Sequence, residues 1–181
     1  MKKIIFLFFF CSFLISCVNK EKEEISHLIA KWVGREIIFP NRMIFTLQGK
    51  DTIDFSLSRS SYAIVSYVDS IGCVSCKLHL SSWKLFIEEL DSISQEKIPV
   101  LLYFCPKDIE EVTYLLKRDY FKYPVCIDQS DMFNKLNNFP DKMNFQTFLL
   151  DKDDKIVALG NPIQNLSLIH ISEPTRRSYI S

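Results

Sequence analysis

Cys73 and Cys76, in the stretch DSIGCVSCKLHL of this 181-residue chain, have the type and spacing to do chemistry. Three chemistries suit two thiols separated by two residues. They can cycle between dithiol and disulfide, they can stay closed as a permanent staple, or they can join His79 in offering two thiolates and an imidazole to copper(I) or zinc. The redox chemistry has a direct physical basis. A cysteine at the start of a helix meets unpaired backbone N–H groups and the positive end of the helix dipole, which favour its thiolate. Cys73 precedes the helical pattern and is expected to be the accessible, attacking sulfur. Cys76 opens an apolar series with Leu80, Trp83, Ile87 and Leu90, at intervals of four and three. That is the spacing of a core-facing helical stripe, so Cys76 is expected to be the buried, resolving sulfur. Such a pair needs no cofactor: one thiolate attacks a substrate disulfide, and the second thiol resolves the mixed disulfide. No distant Cys or His signature accompanies the pair, which weighs against a metal site. Asp69 and Lys77 flank the motif and either modulate thiol ionisation or are solvated charges.

Compartment decides among these readings, and the N-terminus speaks to it. Lys2 and Lys3 precede an apolar run from Ile4 to Ile15, too short to span a bilayer and suited to a secretory signal. The run ends in Leu14-Ile15-Ser16-Cys17, which resembles the lipobox of bacterial lipoproteins. The resemblance implies that residues 1–16 are a signal peptide and that Cys17 is the lipidation site, anchoring the chain through acyl chains without a spanning helix. Val18 after the cysteine favours, by the same resemblance, an extracytoplasmic position at the outer membrane. The charged VNKEKEEI that follows resembles the surface-export signals of some Bacteroidetes lipoproteins. An exported chain lives where disulfides persist, so Cys-x-x-Cys need not be a zinc site. With Cys11 removed and Cys17 acylated, Cys73, Cys76, Cys105 and Cys126 remain. Cys105 and Cys126 sit in apolar strands, either as small hydrophobes or as a second disulfide.

The other end breaks from this pattern. LSLIHISEPTR, within residues 166–181, resembles the translation of a transposon-end adapter used in sequencing libraries, and the tail is expected to be a non-native artefact. His170 therefore carries no role. The whole chain has 22 basic and 22 acidic residues; without Lys2, Lys3, Arg176, Arg177 and Glu173, 18 and 21 remain, a net charge of −3. No basic stripe appears, so nucleic acid is not an expected partner.

The elements that must position the cysteines can be read from periodicity. Residues 17–42 form a tether and a short lead-in helix with Ile25, Leu28, Ile29 and Trp32 at helical spacing. MIFTLQGKDTIDFSL alternates around Gln48-Gly49-Lys50-Asp51 and predicts a β-hairpin. SYAIVSYVD is a strand buried on both faces, leading into the motif and its helix. IPVLLYFC is a second such strand, and Asp108 with Glu111 caps a helix through Leu116. YPVCI is a third strand, Met132 to Asn137 a short helix, and FQTFLL and KIVAL a closing hairpin around the acidic turn DKDD. Alternating strands and helices predict an α/β fold with a mostly parallel sheet, covered on both faces and carrying an antiparallel edge.

This order, with Cys-x-x-Cys between the first long strand and its helix, resembles the thioredoxin fold, and more narrowly its extracytoplasmic TlpA/ResA-type branch. The resemblance covers residues 43–165. It implies a central mixed sheet flanked by helices, an extra N-terminal hairpin, and a C-terminal helix truncated where the tail begins. It also implies a membrane-tethered thiol–disulfide oxidoreductase with Cys73 and Cys76 as catalytic residues. Its partners would be protein thiols or disulfides and a redox partner protein. The alternative is a non-catalytic binding lipoprotein with a static disulfide. Two departures stand out. Gly72 occupies the place of the family's usual tryptophan before the motif. Phe145 falls where the family carries a cis-proline, with Pro140 five residues too early.

Overall fold

The computed structural model describes residues 20, 22–53, 61–71 and 74–164. The expected signal peptide 1–16, the expected lipid site Cys17, Cys73 and the tail 166–181 lie outside the described residues. Helix α1 covers residues 22–32. Strands β1 (Phe45–Leu47) and β2 (Asp51–Ile53) form the expected hairpin, and β3 (Tyr62–Val68) leads towards helices α2 (Val74–Leu78) and α3 (Leu80–Ile93). Then follow β4 (Val100–Phe104), α4 (Ile109–Arg118), β5 (Val125–Ile127), α5 (Met132–Asn137), a 3-10 turn (Met143–Phe145), β6 (Thr147–Asp151) and β7 (Ile156–Leu159).

The seven strands form one sheet in the order β2-β1-β5-β4-β3-β6-β7. The centre is parallel, β3 with β4 and β4 with β5, while β1, β6 and β7 join antiparallel. Short local cues set the connections. At the hairpin, Gln48 and Gly49 have φ of 50° and 71°, and Lys50 N–H donates to Leu47 O at 3.1 Å, a turn that twists with its strands. Asp108 caps α4, accepting from the N–H groups of Glu110 and Glu111 at 2.8 and 3.3 Å. In the acidic turn, Asp151 Oδ1 accepts from Asp153 and Lys155 N–H at 2.9 and 3.0 Å.

Strand residues alternate strictly between two cores. Ile64, Val68, Val100, Leu102 and Phe104 face a core completed by Trp83, Phe86 and Ile87 of α3 and by Val112, Leu115 and Leu116 of α4. Val65, Tyr67, Leu101, Tyr103, Phe148 and Leu150 face the other, where Trp32 of α1, Ile37, Phe133 of α5 and Phe139 pack. The second core is aromatic: Phe133 stacks on Tyr103 at 4.1 Å and Phe139 on Phe148 at 5.2 Å between ring centroids. Two-sided burial explains why β3 and β4 read as continuous apolar runs.

The lead-in segment belongs to this second core. Trp32 is 2% exposed and Ile37 also 2%. Past Gly34, whose φ of 82° ends α1 in the left-handed region, the backbone pairs with β7: Gly34 N–H donates to Ile156 O at 2.7 Å and Ile156 N–H to Arg35 O at 2.9 Å. On the first face, an apolar groove of about 260 Å³ lies between α3 and strands β6 and β7, lined by Ile64, Phe86, Leu90, Leu149 and Ala158. No described helix is long and apolar enough to cross a membrane.

Candidate functional site

The C-terminal ends of the parallel strands meet at one edge of the sheet. Cys105, just past β4, donates its N–H to Val68 O at 2.9 Å, and Asp128, just past β5, donates its N–H to Phe104 O at 2.8 Å. Asp69 follows Val68 at this same edge, and α2 opens at Val74, the residue after Cys73. The fold thus brings α2, which carries Cys76, to the edge where open α/β sheets usually carry their sites.

Cys76 is exposed, in contrast to its expected burial. The expected single helix is two helices. His79 adopts φ 41° and ψ 41°, the left-handed region, and breaks the helical run between α2 and α3. The break resets the rotation of side chains about the axis. Leu80, Trp83 and Ile87 are buried on the stripe as expected, but the buried residue of α2 is Leu78, 1% exposed, rather than Cys76. The break also separates the two described members of the possible metal set, Cys76 on α2 and an exposed His79 beyond its end. Among the described residues no group of three or more His, Cys, Asp or Glu could hold a metal ion.

Asp69 ties the motif to its surroundings. Lys77 Nζ donates to Asp69 Oδ1, with the two side chains only 19% and 16% exposed. Ile71 N–H donates to the same oxygen at 2.8 Å. Burial pushes the Asp69 carboxyl up, but the Lys77 hydrogen bond, the Ile71 N–H, the Lys77 charge and a hydrogen bond from the Gln146 side chain together hold it below its ordinary value. Gln146 is 3% exposed, and its Nε2 also donates to Pro140 O at 2.9 Å. Its backbone carbonyl accepts from Tyr67 N–H at 2.9 Å.

The loop before β6 therefore reaches the motif through Gln146 rather than Phe145. Phe145 ends the 3-10 turn, its peptide bond is trans, and it lines a cleft with Leu28 and Trp32 of α1. The turn consumes backbone donors of the loop: Phe145 N–H goes to Lys142 O at 2.9 Å and Gln146 N–H to Met143 O at 3.1 Å. An extended substrate chain finds neither donor free.

A second polar cluster lies on the opposite face. Tyr67 donates its hydroxyl to Asp131 Oδ1 at 2.5 Å, and Asn134 Nδ2 donates to Oδ2 at 3.1 Å. Asp131 sits at φ 54° at the start of α5. The Cys105 thiol shares this cluster; burial first, and then the Asp131 charge, pushes it up to about 11. Burial and the Asp128 charge likewise push Cys126 up to about 11. Both thiols are buried and neither forms a disulfide, so they behave as protonated small hydrophobes rather than nucleophiles.

Sequence reasoning placed Asp69 and Lys77 beside the motif without resolving whether they pair. Gln146 and Asp131 it missed, since each is brought in from a distant part of the chain, and with Asp131 it missed the partner of the Tyr67 hydroxyl.

No family model matches the chain, and no curated protein matches its sequence. Solved structures match its fold. StoA from Bacillus subtilis aligns with a TM-score of 0.52 at 15% identity, over 74% of this chain and 98% of that one. A thiol-disulfide oxidoreductase from Bacteroides fragilis NCTC 9343 aligns with a TM-score of 0.52 at 16% identity, over 74% and 97%. Peroxidoxin BcpB from Mycobacterium tuberculosis aligns with a TM-score of 0.51 at 11% identity, over 71% and 84%. The chain has a thioredoxin-like α/β fold.

Proposed function

We propose that the chain is a thiol–disulfide oxidoreductase working through Cys73 and Cys76. The observation that carries this reading is the position of Cys76, exposed on α2, the first helix after β3 of a thioredoxin-like fold. The similarity in fold to a thiol-disulfide oxidoreductase from Bacteroides fragilis supports it. In the reducing direction, the Cys73 thiolate attacks one sulfur of a protein disulfide. The substrate S–S bond breaks, one substrate thiolate leaves and a mixed disulfide forms. The Cys76 thiolate then attacks the Cys73 sulfur, releasing the second substrate thiolate. Two electrons pass to the substrate, and a dithiol partner protein must return them; the oxidising direction runs the same steps backwards. We place this chemistry outside the cytoplasm, with residues 1–16 removed as a signal peptide and Cys17 acylated at a bacterial membrane, the outer membrane being favoured. Residues 166–181 are then a non-native tail without a part in it.

The rival is a binding module with a static disulfide, and the closed 3-10 turn before β6 is what favours it. Trapping separates the two. In Cys76→Ser, Cys73 is expected to accumulate a stable mixed disulfide with a model disulfide substrate, seen by mass spectrometry under non-reducing conditions. Cys73→Ser is expected to form less adduct, and the wild-type chain to turn substrate over with a dithiol reductant. No adduct on folded Cys76→Ser, with no turnover by wild type, would leave the binding module.

A further inference from the structure

On the side of the second core, the segment 38–44 that leads into β1 and the helix α5 wall a cleft of about 660 Å³. Four large apolar side chains line it and are between 38% and 60% exposed: Ile38 and Ile44 from the segment, Met132 and Leu136 from α5. Met132 and Leu136 stand four apart on α5, which buries Phe133 and Asn137. Asn137 pins the opposite wall: its Oδ1 accepts from Ile38 N–H at 2.9 Å and its Nδ2 donates to Ile38 O at 2.8 Å. The walls are thus held by a buried side chain, and the apolar surface between them is preformed. Small-molecule sites have this character, with volumes of roughly 300–1,000 Å³, an apolar lining and few polar groups.

Two polar groups of the cleft lack the partners that their chemistry favours. Arg42 is exposed and makes no ion pair or hydrogen bond among the described residues. Tyr103, 1% exposed, donates its hydroxyl to Met43 Sδ at 2.6 Å, and a thioether is a weak acceptor. Burial, with the charges of Cys126 and Asp128, pushes this phenol up, so it stays a donor. Asp128 also lines the cleft, but its carboxylate is engaged at the start of α5. Its Oδ1 accepts from Ser130 Oγ at 2.9 Å and its Oδ2 from Phe133 N–H at 2.8 Å.

We propose that this cleft binds a medium-chain fatty acid, its hydrocarbon chain against Ile38, Ile44, Met132 and Leu136 and its carboxylate paired with Arg42. The head follows from the guanidinium, whose planar fork matches the two oxygens of a carboxylate. A ligand oxygen is also a better acceptor for the Tyr103 hydroxyl than the thioether it meets here. The tail follows from the walls. A peptide laid along them would bring amide groups that need partners, whereas a hydrocarbon needs none. Each methylene taken out of water strengthens binding by up to about fourfold, so affinity rises with chain length. This site is independent of Cys73 and Cys76 and of the chemistry proposed for them.

The test titrates decanoate, below its micelle concentration, into the full chain with its methionine methyl groups labelled with carbon-13. Saturable binding is expected to shift the NMR signals of Met43 and Met132, which line the cleft, and not that of Met143 in the 3-10 turn before β6. Octanoate is expected to bind more weakly than decanoate, and decyltrimethylammonium, the same chain with the opposite charge, more weakly still. Arg42→Gln is expected to weaken decanoate by roughly threefold to fivefold, the usual reach of an exposed ion pair, without weakening decyltrimethylammonium. Leu136→Ser is expected to weaken both. Both substitutions fall on exposed side chains, so the test does not depend on altering the core. No saturable shift, equal binding of the anionic and cationic chains, or an Arg42→Gln variant indistinguishable from the parent overturns the proposal. So does a shift at Met143 in place of Met43 and Met132. If an apolar peptide saturates these two signals and decanoate does not, the cleft serves a protein partner and the fatty-acid proposal is overturned.

Discussion

Tyr67 shows what one hydroxyl does in this protein. Its ring packs against Phe139 at 5.1 Å between centroids, and its oxygen reaches Asp131 at 2.5 Å. Burial raises the Tyr67 phenol, and the Asp131 carboxylate raises it further, so it donates at any ordinary pH. It helps hold Asp131 at φ 54°, a conformation that costs a residue other than glycine about 1 kcal/mol. Tyr67→Phe keeps the ring and removes the donor. A hydrogen bond to a charged group is worth roughly 1.5–3 kcal/mol, and a loss of about 2 kcal/mol is the expected outcome in urea unfolding at neutral pH. A loss below a few tenths would mean that water replaces the hydroxyl without cost.

At the scale of elements, one helical run differs from its simplest reading, for a local reason, and another takes its place in the core. The run from Val74 to Ile93 is interrupted because His79 takes the left-handed conformation, and Cys76 thereby leaves the buried stripe. The lead-in helix α1, whose apolar spacing includes Trp32, buries that residue between Phe139 and Phe148, at 6.1 and 5.5 Å between centroids, with the Arg35 guanidinium 4.4 Å from its ring. Trp32→Ala is expected to cost about 3–5 kcal/mol, the usual range for emptying a buried aromatic site. The measurement is chemical unfolding followed by circular dichroism. A cost near zero would mean that the core contacts of α1 are dispensable.

For the whole molecule, the buried thiols are the first buried groups to lower stability as pH rises, ahead of the buried phenols of Tyr67 and Tyr103. Cys105 and Cys126 titrate near 9 when unfolded and are pushed to about 11 by burial in the fold. Between those values the unfolded chain has lost protons that the folded chain keeps, so stability falls as pH rises from about 9 towards 11. Asp69 acts at the other limit. Its lowered carboxyl adds stability above the unfolded value, and that contribution is lost as pH falls through the folded one. Melting temperatures measured from pH 7 to pH 11 are expected to drop less steeply above pH 9 when Cys105 and Cys126 are both replaced by alanine. Unchanged steepness would assign the alkaline limit to other groups.

Local residue patterning dictates the order of the strands, the hairpin turn, the Asp108 cap and the two-sided burial of β3 and β4. Each of these is written in residues a few positions apart: Gln48-Gly49 in a turn, Asp108 before its own helix, unbroken apolar runs in strands that meet a core on both sides. It also placed the motif at the end of β3, because strand and cysteines are contiguous. Only the tertiary structure decided what faces that motif. Gln146 reaches Asp69 from 77 residues further along the chain, immediately before β6, which lies beside β3, and Asp131 reaches Tyr67 across a separation of 64 from the start of α5. The exposure of Cys76 was decided there too. Periodicity assumes one continuous helical axis, and a single residue with positive φ at His79 ends that axis without leaving a glycine or proline to announce it.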